Sequence, residues 1–243
     1  MDKVLTKYEI NSMNIQTDKV SVSYNGFSII EKIDFTCRYG ERISIIGKSG
    51  AGKTTFLNAL AGFIPFTGKI KIPKNIGYVF QNHSLFPWMT VEKNIGFGIE
   101  KMDLKKRNKL IREMLIKIEL PDFAKKYPYQ LSGGQIQRVA FARAMAQNPD
   151  VLLLDEPFAS LDHYTRENMQ NWLISFLEES TSSMILVTHS IDEAIFFSDR
   201  VAVLKDQKFV EDIHIQVGHP RQLDFRFSNK FMETKKILLK TIS

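Results

Sequence analysis

Residues Glu41 to Thr55 read ERISIIGKSGAGKTT, and no other stretch narrows the possible folds as much. The first part, ERISIIG, is a β-branched run that ends in glycine, the signature of a short strand. The residues that follow, KTTFLNALAGF, read as a helix. Between them Gly47 to Thr54 fits the pattern G-x-x-x-x-G-K-[ST] in the required setting, strand before and helix after. A strand, a glycine loop and a helix in immediate succession commit this part of the chain to an α/β layer.

The chemistry of such a loop follows from its glycines. They let the backbone curl until successive N–H groups point inward at phosphate oxygens. The N-terminus of the following helix adds partial positive charge. Gly47, Lys48, Ser49, Gly50, Ala51, Gly52, Lys53, Thr54 and Thr55 are therefore the candidate nucleotide-binding residues. Lys53 is expected to reach the β- and γ-phosphates of a nucleoside triphosphate, and the Thr54 hydroxyl to ligate Mg²⁺. The plain alternative is a glycine-rich turn, and the match of motif and context speaks against it.

The remaining pattern supports an α/β layer. KVSVSY (Lys19 to Tyr24) alternates like a half-buried strand, and VLLLD (Val151 to Asp155) like a parallel strand buried on both faces. SMILVTH and RVAVLK are further strands, with the helical IDEAIFF between them. From about Gln81 to Asn148 the character turns mostly helical. There LKKRNKLIREMLIKIEL sets Leu104, Ile111, Met114, Leu115 and Ile118 on one face. RENMQNWLISFLEES carries a second stripe, Met169, Trp172, Leu173, Phe176 and Leu177. Strands and helices on both flanks of a helical block predict an α/β core with an α-helical insertion. No internal repeat is present, and the basic tail after about Asp212 carries only weak patterning.

The end of VLLLDEP supplies two acids. Ligands gather at the carboxyl ends of strands in open α/β sheets, so Asp155 is placed to hold Mg²⁺ or a water on it. Glu156 is placed to polarise the water that attacks the γ-phosphate. A solvated strand end would also explain such a pair; the phosphate loop upstream favours the catalytic reading. LSGGQIQR (Leu131 to Arg138) then presents a puzzle. Ser132 and Gln135 have capping-box spacing, so a helix begins here. Yet Gly133 and Gly134 cost about 1 kcal/mol each relative to alanine inside a helix. Two readings remain open: an ordinary capped helix, or a helix N-terminus cleared of side chains so that a second phosphate can approach.

The order GKSGAGKTT, VFQNHSLFPWMTVEKNI, LSGGQIQR, VLLLDEP, SLD and VTHSIDEA closely resembles the ATP-binding subunit of an ABC transporter, from about Lys19 to Lys205. The resemblance implies a P-loop NTPase core with a mixed sheet plus an α-helical subdomain. It further implies one cassette domain over 15–243, with a RecA-like core at about 15–80 and 149–243 and the subdomain at about 81–148. By the same resemblance Tyr24 stacks on adenine, where a core-facing ring is the alternative. Gln81 contacts Mg²⁺ beside Thr54 and Asp155, and His189 contacts the γ-phosphate. Asp162 lies in a loop that crosses to a partner subunit. Ser132, Gly133, Gly134 and Gln135 close over ATP held by that partner, a second copy of the chain packed head to tail. Ser190 stands where aspartate is common and Lys48 where proline or serine is frequent; neither change removes a group the mechanism requires.

The implied cofactors are ATP and Mg²⁺, and the implied partners are a transmembrane permease and, indirectly, an extracytoplasmic solute-binding protein. Phe86, Pro87, Trp88 and Met89 offer apolar surface for the permease, unless Trp88 is buried within the helical block. PW followed by TV resembles importers of nitrate, sulfonates and taurine, a pattern shared with subunits for thiamine precursors. Fewer than forty residues follow Lys205, too few for the extra β-domain of sugar importers.

Composition agrees. A net charge of +6 and a pI near 9.2 suit anionic partners, and 44% apolar residues can build a core. A lone cysteine, Cys37, forms no intrachain disulfide and points to a reducing compartment. The stretch MDKVLTKYEI lacks the apolar core of a signal peptide, and no uncharged run is long enough to span a bilayer. A peripheral subunit at the cytoplasmic face of the cell membrane is expected. A soluble ATPase acting on nucleic acid is disfavoured, because the helical block has no room for a long coiled-coil insertion. A P-loop kinase would leave the LSGGQ loop unexplained.

Overall fold

The computed structural model describes residues 13–81, 85–159, 161–221 and 223–242. Asn82, His83 and Ser84 of the NHSLFPW segment, Ser160 of the SLD motif and the charged N-terminal stretch lie outside the described residues. The chain divides into two compact units, one formed by 1–74 with 183–243 and the other by Asn75–Ser182.

The first unit holds two sheets. Strands β1 (Met13–Tyr24), β2 (Phe27–Arg38) and β4 (Thr67–Lys71) pair antiparallel in the order β2-β1-β4. Strand β3 (Arg42–Ile46) pairs parallel with both β7 (Ser183–Val187) and β8 (Arg200–Lys205), and β9 (Lys208–His214) closes antiparallel on β8. The second sheet is thus mixed, as expected. RISII and SMILV are buried at every position, which is why they read as unbroken strands rather than alternating ones. Helix α1 (Lys53–Leu60) sends Phe56 into a cluster with Phe35 and Phe209, with ring centroids 5.3 to 5.5 Å apart. Fully burying such a ring contributes about 1.5–3 kcal/mol. Ser183 ties the strands together: it accepts from Asn14 Nδ2 at 2.7 Å and from the Gly40 amide at 3.0 Å, and donates to the Arg38 carbonyl at 2.9 Å.

The second unit contains the parallel pair β5 (Ile76–Val79) and β6 (Val151–Asp155). It also contains helices α2 (Val91–Gly96), α3 (Leu104–Lys117), α4 (Gly133–Ala146) and α5 (His163–Glu179). The helical block read over 81–148 lies inside this unit, which takes in both strands and α5 as well. Its core gathers Val91, Ile95, Ile111, Met114, Leu115, Ile118, Val139 and Ala140. Leu104 departs from the expected stripe and is 59% exposed. It is the first residue of α3, capped by Asp103, and the buried residues of that helix begin only at Ile111. In α5 the buried positions are Met169, Gln170, Leu173 and Leu177, while Trp172 and Phe176 are partly buried.

Strands β4, β5 and β9 and helix α2 were not read from the sequence, nor were two longer elements. Strand β2 follows β1 through Asn25-Gly26, both at positive φ (49° and 82°), the turn that matches strand twist in a tight hairpin. Helix α7 (Asn229–Ile242) occupies the basic tail and buries Phe231, Thr234 and Leu238. Lys235 ties it by a 2.6 Å ion pair to Asp192 in the first turn of helix α6 (Ile191–Phe197).

Candidate active site

In the first unit, parallel pairing sets two of the expected groups at one edge. Ile45 of β3 lies opposite Val187 of β7, so the glycine loop and His189 leave the sheet at the same carboxyl end. The loop has the conformation its glycines permit. Gly50 and Gly52 have φ of 79° and 99°, and Gly52 caps α1 from the left-handed region. A Cβ on Gly47 would overlap the Leu204 carbonyl oxygen, and one on Gly52 would come within 2.8 Å of Ile30 Cγ2. Backbone proximity therefore demands glycine at 47, and the left-handed φ demands it at 52. Lys53 is only 8% exposed, and its Nζ donates to the carbonyls of Gly47 at 2.9 Å and Lys48 at 3.1 Å. Its ammonium is held over the loop it would serve. No acidic residue occupies the first turn of α1, so the positive end of that helix is not neutralised locally. Lys48, Ser49 and Thr54 are exposed, and Ala51 and Thr55 partly so. A cleft of about 350 Å³ runs along the loop, with Lys205, Asp206, Gln207 and Ile242 on its other side.

Tyr24 ends β1 opposite Phe27 across the hairpin turn and is 44% exposed, so its ring does not face the core. His189 is exposed on a turn pinned from both sides. Thr188 Oγ1 donates to Glu193 Oε2 at 2.7 Å and accepts from the Ser190 amide at 3.0 Å. Ser190 Oγ accepts from the Glu193 amide at 3.3 Å. Serine thus caps α6 as an aspartate would, which accounts for that departure from the family pattern.

In the second unit, β5 and β6 are parallel with Val79 opposite Leu154, so Gln81 and Asp155 also emerge at one carboxyl edge. Asp155 is 2% exposed; burial of the Tyr78 phenol, and secondarily the nearby Asp155 charge, push that phenol well above its ordinary range. Gln81 is exposed. Glu156 has φ of 47°, in the left-handed region that a side chain disfavours. Its peptide neighbours are gripped one after another. The Glu156 carbonyl accepts from the Ala159 amide at 3.2 Å, that of Pro157 from Gln137 Nε2 at 2.8 Å, and that of Phe158 from Arg166 Nε at 3.3 Å.

The LSGGQ stretch forms the capping box read from its spacing. Ser132 Oγ accepts from the Gln135 amide at 3.3 Å, and Gln135 Oε1 accepts from the Ser132 amide at 2.9 Å. Gly133 and Gly134 make the first turn of α4. A Cβ on Gly134 would meet only Leu161 Cδ2 at 3.7 Å and Thr165 Cγ2 at 3.8 Å, ordinary contacts. Among the described residues nothing requires glycine there. Asp162 caps α5 by accepting from the Thr165 amide at 3.0 Å, and that bond holds its carboxyl below the usual range.

Two side chains were missed from sequence. Gln137, 1% exposed, holds the peptide after Glu156, and its place on the LSGGQ helix gave no signal that a polar side chain would face inward. Asn94, fully buried, accepts from the Phe86 amide at 2.8 Å and donates to the carbonyls of Phe86, Met89 and Thr90 at 3.1 to 3.2 Å. That clamp fixes the turn that displays Trp88 at 70% exposure. Trp88 is not buried in the helical block. Beside it a groove of about 850 Å³ is lined by Met89, Lys93, Ile111, Arg112, Ile116 and Lys125 among others.

The family described as ABC transporter matches residues 30–159 of this sequence, which include the glycine loop, the LSGGQ helix, Asp155 and Glu156. The chain belongs to the ABC transporter family. As an ABC cassette it is an ATPase whose nucleotide is ATP. It is 41% identical over 201 residues to the taurine import ATP-binding protein TauB of Escherichia coli O157:H7, covering 78% of this chain and 79% of that one. It is 38% identical over 242 residues to the aliphatic sulfonates import ATP-binding protein SsuB of Bacillus cereus (strain ATCC 10987 / NRS 248), covering 93% and 95%. The cassette also resembles a dimeric post-hydrolysis structure of the ATP-binding cassette MJ0796 bound to ADP and Pi. That match has a TM-score of 0.77 and 32% identity, and covers 84% of this chain and all of that one. Among the described residues no helix is long and apolar enough to cross a membrane.

Proposed function

We propose that this cassette is the ATP-hydrolysing subunit of an importer for taurine or related sulfonates, working as a head-to-tail homodimer. The observation that carries the dimer is Gly134, a helix-breaking residue with no neighbour among the described residues that needs it. A phosphate of ATP bound by a second copy supplies the missing reason, with Ser132, Gly133, Gly134 and Gln135 presenting N–H and hydroxyl groups to it. Asp162, at the mouth of α5, faces the same partner. The taurine and sulfonate relatives support the solute class.

Within this reading Tyr24 stacks on adenine, the loop from Gly47 to Thr55 cradles the phosphates, and Lys53 leaves its loop carbonyls for the β- and γ-phosphates. Among the described residues no cluster of three or more His, Cys, Asp or Glu could cage a metal. A hydroxyl (Thr54), an amide (Gln81) and one buried carboxylate (Asp155) suit Mg²⁺, which takes few protein ligands together with phosphate oxygens. Bound there, Mg²⁺ would neutralise phosphate charge. Glu156 takes a proton from the attacking water as the new O–P bond forms and the β–γ bridging bond breaks, leaving ADP and phosphate. His189 holds the γ-phosphate.

The exposed Trp88 and the groove beside it suit a helix of a transmembrane permease, which would seat the dimer peripherally at the cytoplasmic face of the membrane. A solute-binding protein would act through that permease. The domain partition follows the family, with the core at about 15–80 and 149–243 and the helical subdomain at about 81–148.

The test is Glu156→Gln. The variant should bind ATP but turn over about 10²–10⁴ times more slowly, and size-exclusion chromatography with ATP should show it accumulating as a dimer. Turnover near that of the unaltered protein would remove Glu156 from the role of base.

A further inference from the structure

We infer that Gln137 is a positioning residue for Glu156, and that through it the seating of the LSGGQ helix governs the geometry of the chain's own catalytic base. The inference rests on the reading of Glu156 as that base.

Glu156 needs support from outside itself. Its φ of 47° is one that side chains disfavour, and the next residue, Pro157, biases its predecessor toward extended backbone. Such a conformation persists only where the surroundings over-determine it. Pro157 has no N–H to add to the turn, so its carbonyl is the remaining backbone handle. Gln137 grasps that handle, with Nε2 donating at 2.8 Å, in a site where the glutamine is 1% exposed. Water therefore does not substitute readily for the donor, and the amide is held in place by the helix that carries it.

That helix is α4, whose first residues are Gly133 and Gly134. Gln137 lies one turn further in. A shift of α4 when Ser132–Gln135 engage a nucleotide moves the donor and, with it, the carbonyl next to Glu156. One side chain thus connects the loop that completes a partner's site to the base of the chain's own site. Among the hydrogen bonds to these three carbonyls, the Ala159 amide comes from within the turn and Arg166 from α5, so Gln137 is the donor that α4 supplies. Phe141 of the same helix also stacks on Phe158 at 5.7 Å, beyond the peptide that Gln137 holds.

Three variants test this. Gln137→Met keeps the length and removes the donor; it should lower kcat by about 10–100-fold, as for misplacement by about an ångström, with KM for ATP within about twofold. In the Glu156→Gln background the same change should cost less than about twofold more, because a residue acting through Glu156 has nothing left to position. Gln137→Glu adds a pH signature that a merely structural role does not produce. Burial favours its neutral form, and a protonated carboxyl donates to the Pro157 carbonyl whereas a carboxylate cannot. Its turnover relative to the unaltered protein should therefore rise as pH is lowered from about 8 to 6 and fall on the return.

A Gln137→Met enzyme with kcat within twofold of normal, or a full further loss in the Glu156→Gln background, would overturn the inference. If Gln137→Met does not fold, Gln137→Glu decides, and a pH profile parallel to that of the unaltered protein would sink it. Near-normal turnover of Glu156→Gln alone identifies the other failure, that of Glu156 as base.

Discussion

At Glu156 two local preferences are overruled together, the one against positive φ and the one imposed by the following proline. Backbone strain of this kind costs about 1–3 kcal/mol; here three successive carbonyls are gripped to hold it. Gly134 presents the opposite case, a residue whose conformation is unstrained and whose surroundings are open. Gly134→Ala should therefore fold and be stabilised by up to about 1 kcal/mol in thermal or urea unfolding, while its turnover drops at least tenfold. Normal turnover in that variant would remove the case for a phosphate at the LSGGQ turn. The capping box of Ser132 and Gln135 was legible in the sequence because both partners lie within one turn. The conformation of Glu156 was not, because it depends on side chains from α4 and α5 that sequence spacing does not relate to it.

At the scale of elements, strands buried on both faces and helices with long apolar stripes announced themselves, and the elements missed have physical reasons. The pattern of β2, FSIIEKIDFTCR, mixes charge with apolar residues because its outward positions are solvated and Lys32 departs from extended backbone with φ of 47°. The Asn25-Gly26 turn was its clearest signal. Helix α7, by contrast, was available in the sequence, since Phe231, Thr234 and Leu238 recur at helical spacing on one narrow face among its lysines. The segment between β9 and α7 is anchored by His219 and Arg221. His219 Nε2 lies 3.2 Å from Asp199 Oδ1, and Arg221 donates to the carbonyls of Phe196 and Ser198 at the end of α6 and to that of Val217 within the segment itself. Burial would raise the Asp199 carboxyl, but the bond from His219 and the Arg42 amide at 2.9 Å outweigh it and hold the group below its ordinary range. A depressed folded value means that the stability from Asp199 is fully present above about pH 3.9 and lost as pH falls through the lower value. Asp199→Asn should lower Tm at pH 7 and show a smaller further decline toward pH 3. An unaltered acid limb in the variant would assign that limb to other carboxylates.

For the molecule as a subunit, the sequence carried its chemistry further than its associations. The groups proposed to hold the nucleotide sit at strand ends and could be placed from motif order, whereas the display of Trp88 depends on the Asn94 clamp around 86–90. Because that ring is mostly in solvent, Trp88→Ala should leave folding and the ATPase rate of the isolated subunit within about twofold. Loss of a central aromatic anchor costs about 2 kcal/mol or more, so co-sedimentation with permease-bearing membranes should weaken at least tenfold. Unchanged co-sedimentation would place the permease contact elsewhere.

The open space around Gly134 also has a genetic consequence. On the proposed head-to-tail pairing, a subunit altered there would fold and pair with unaltered subunits, spoiling a site that belongs to its neighbour. In a cell making both kinds equally, random pairing leaves roughly a quarter of the dimers untouched. Alleles at this glycine should therefore behave as dominant, whereas alleles that unfold the chain should be recessive.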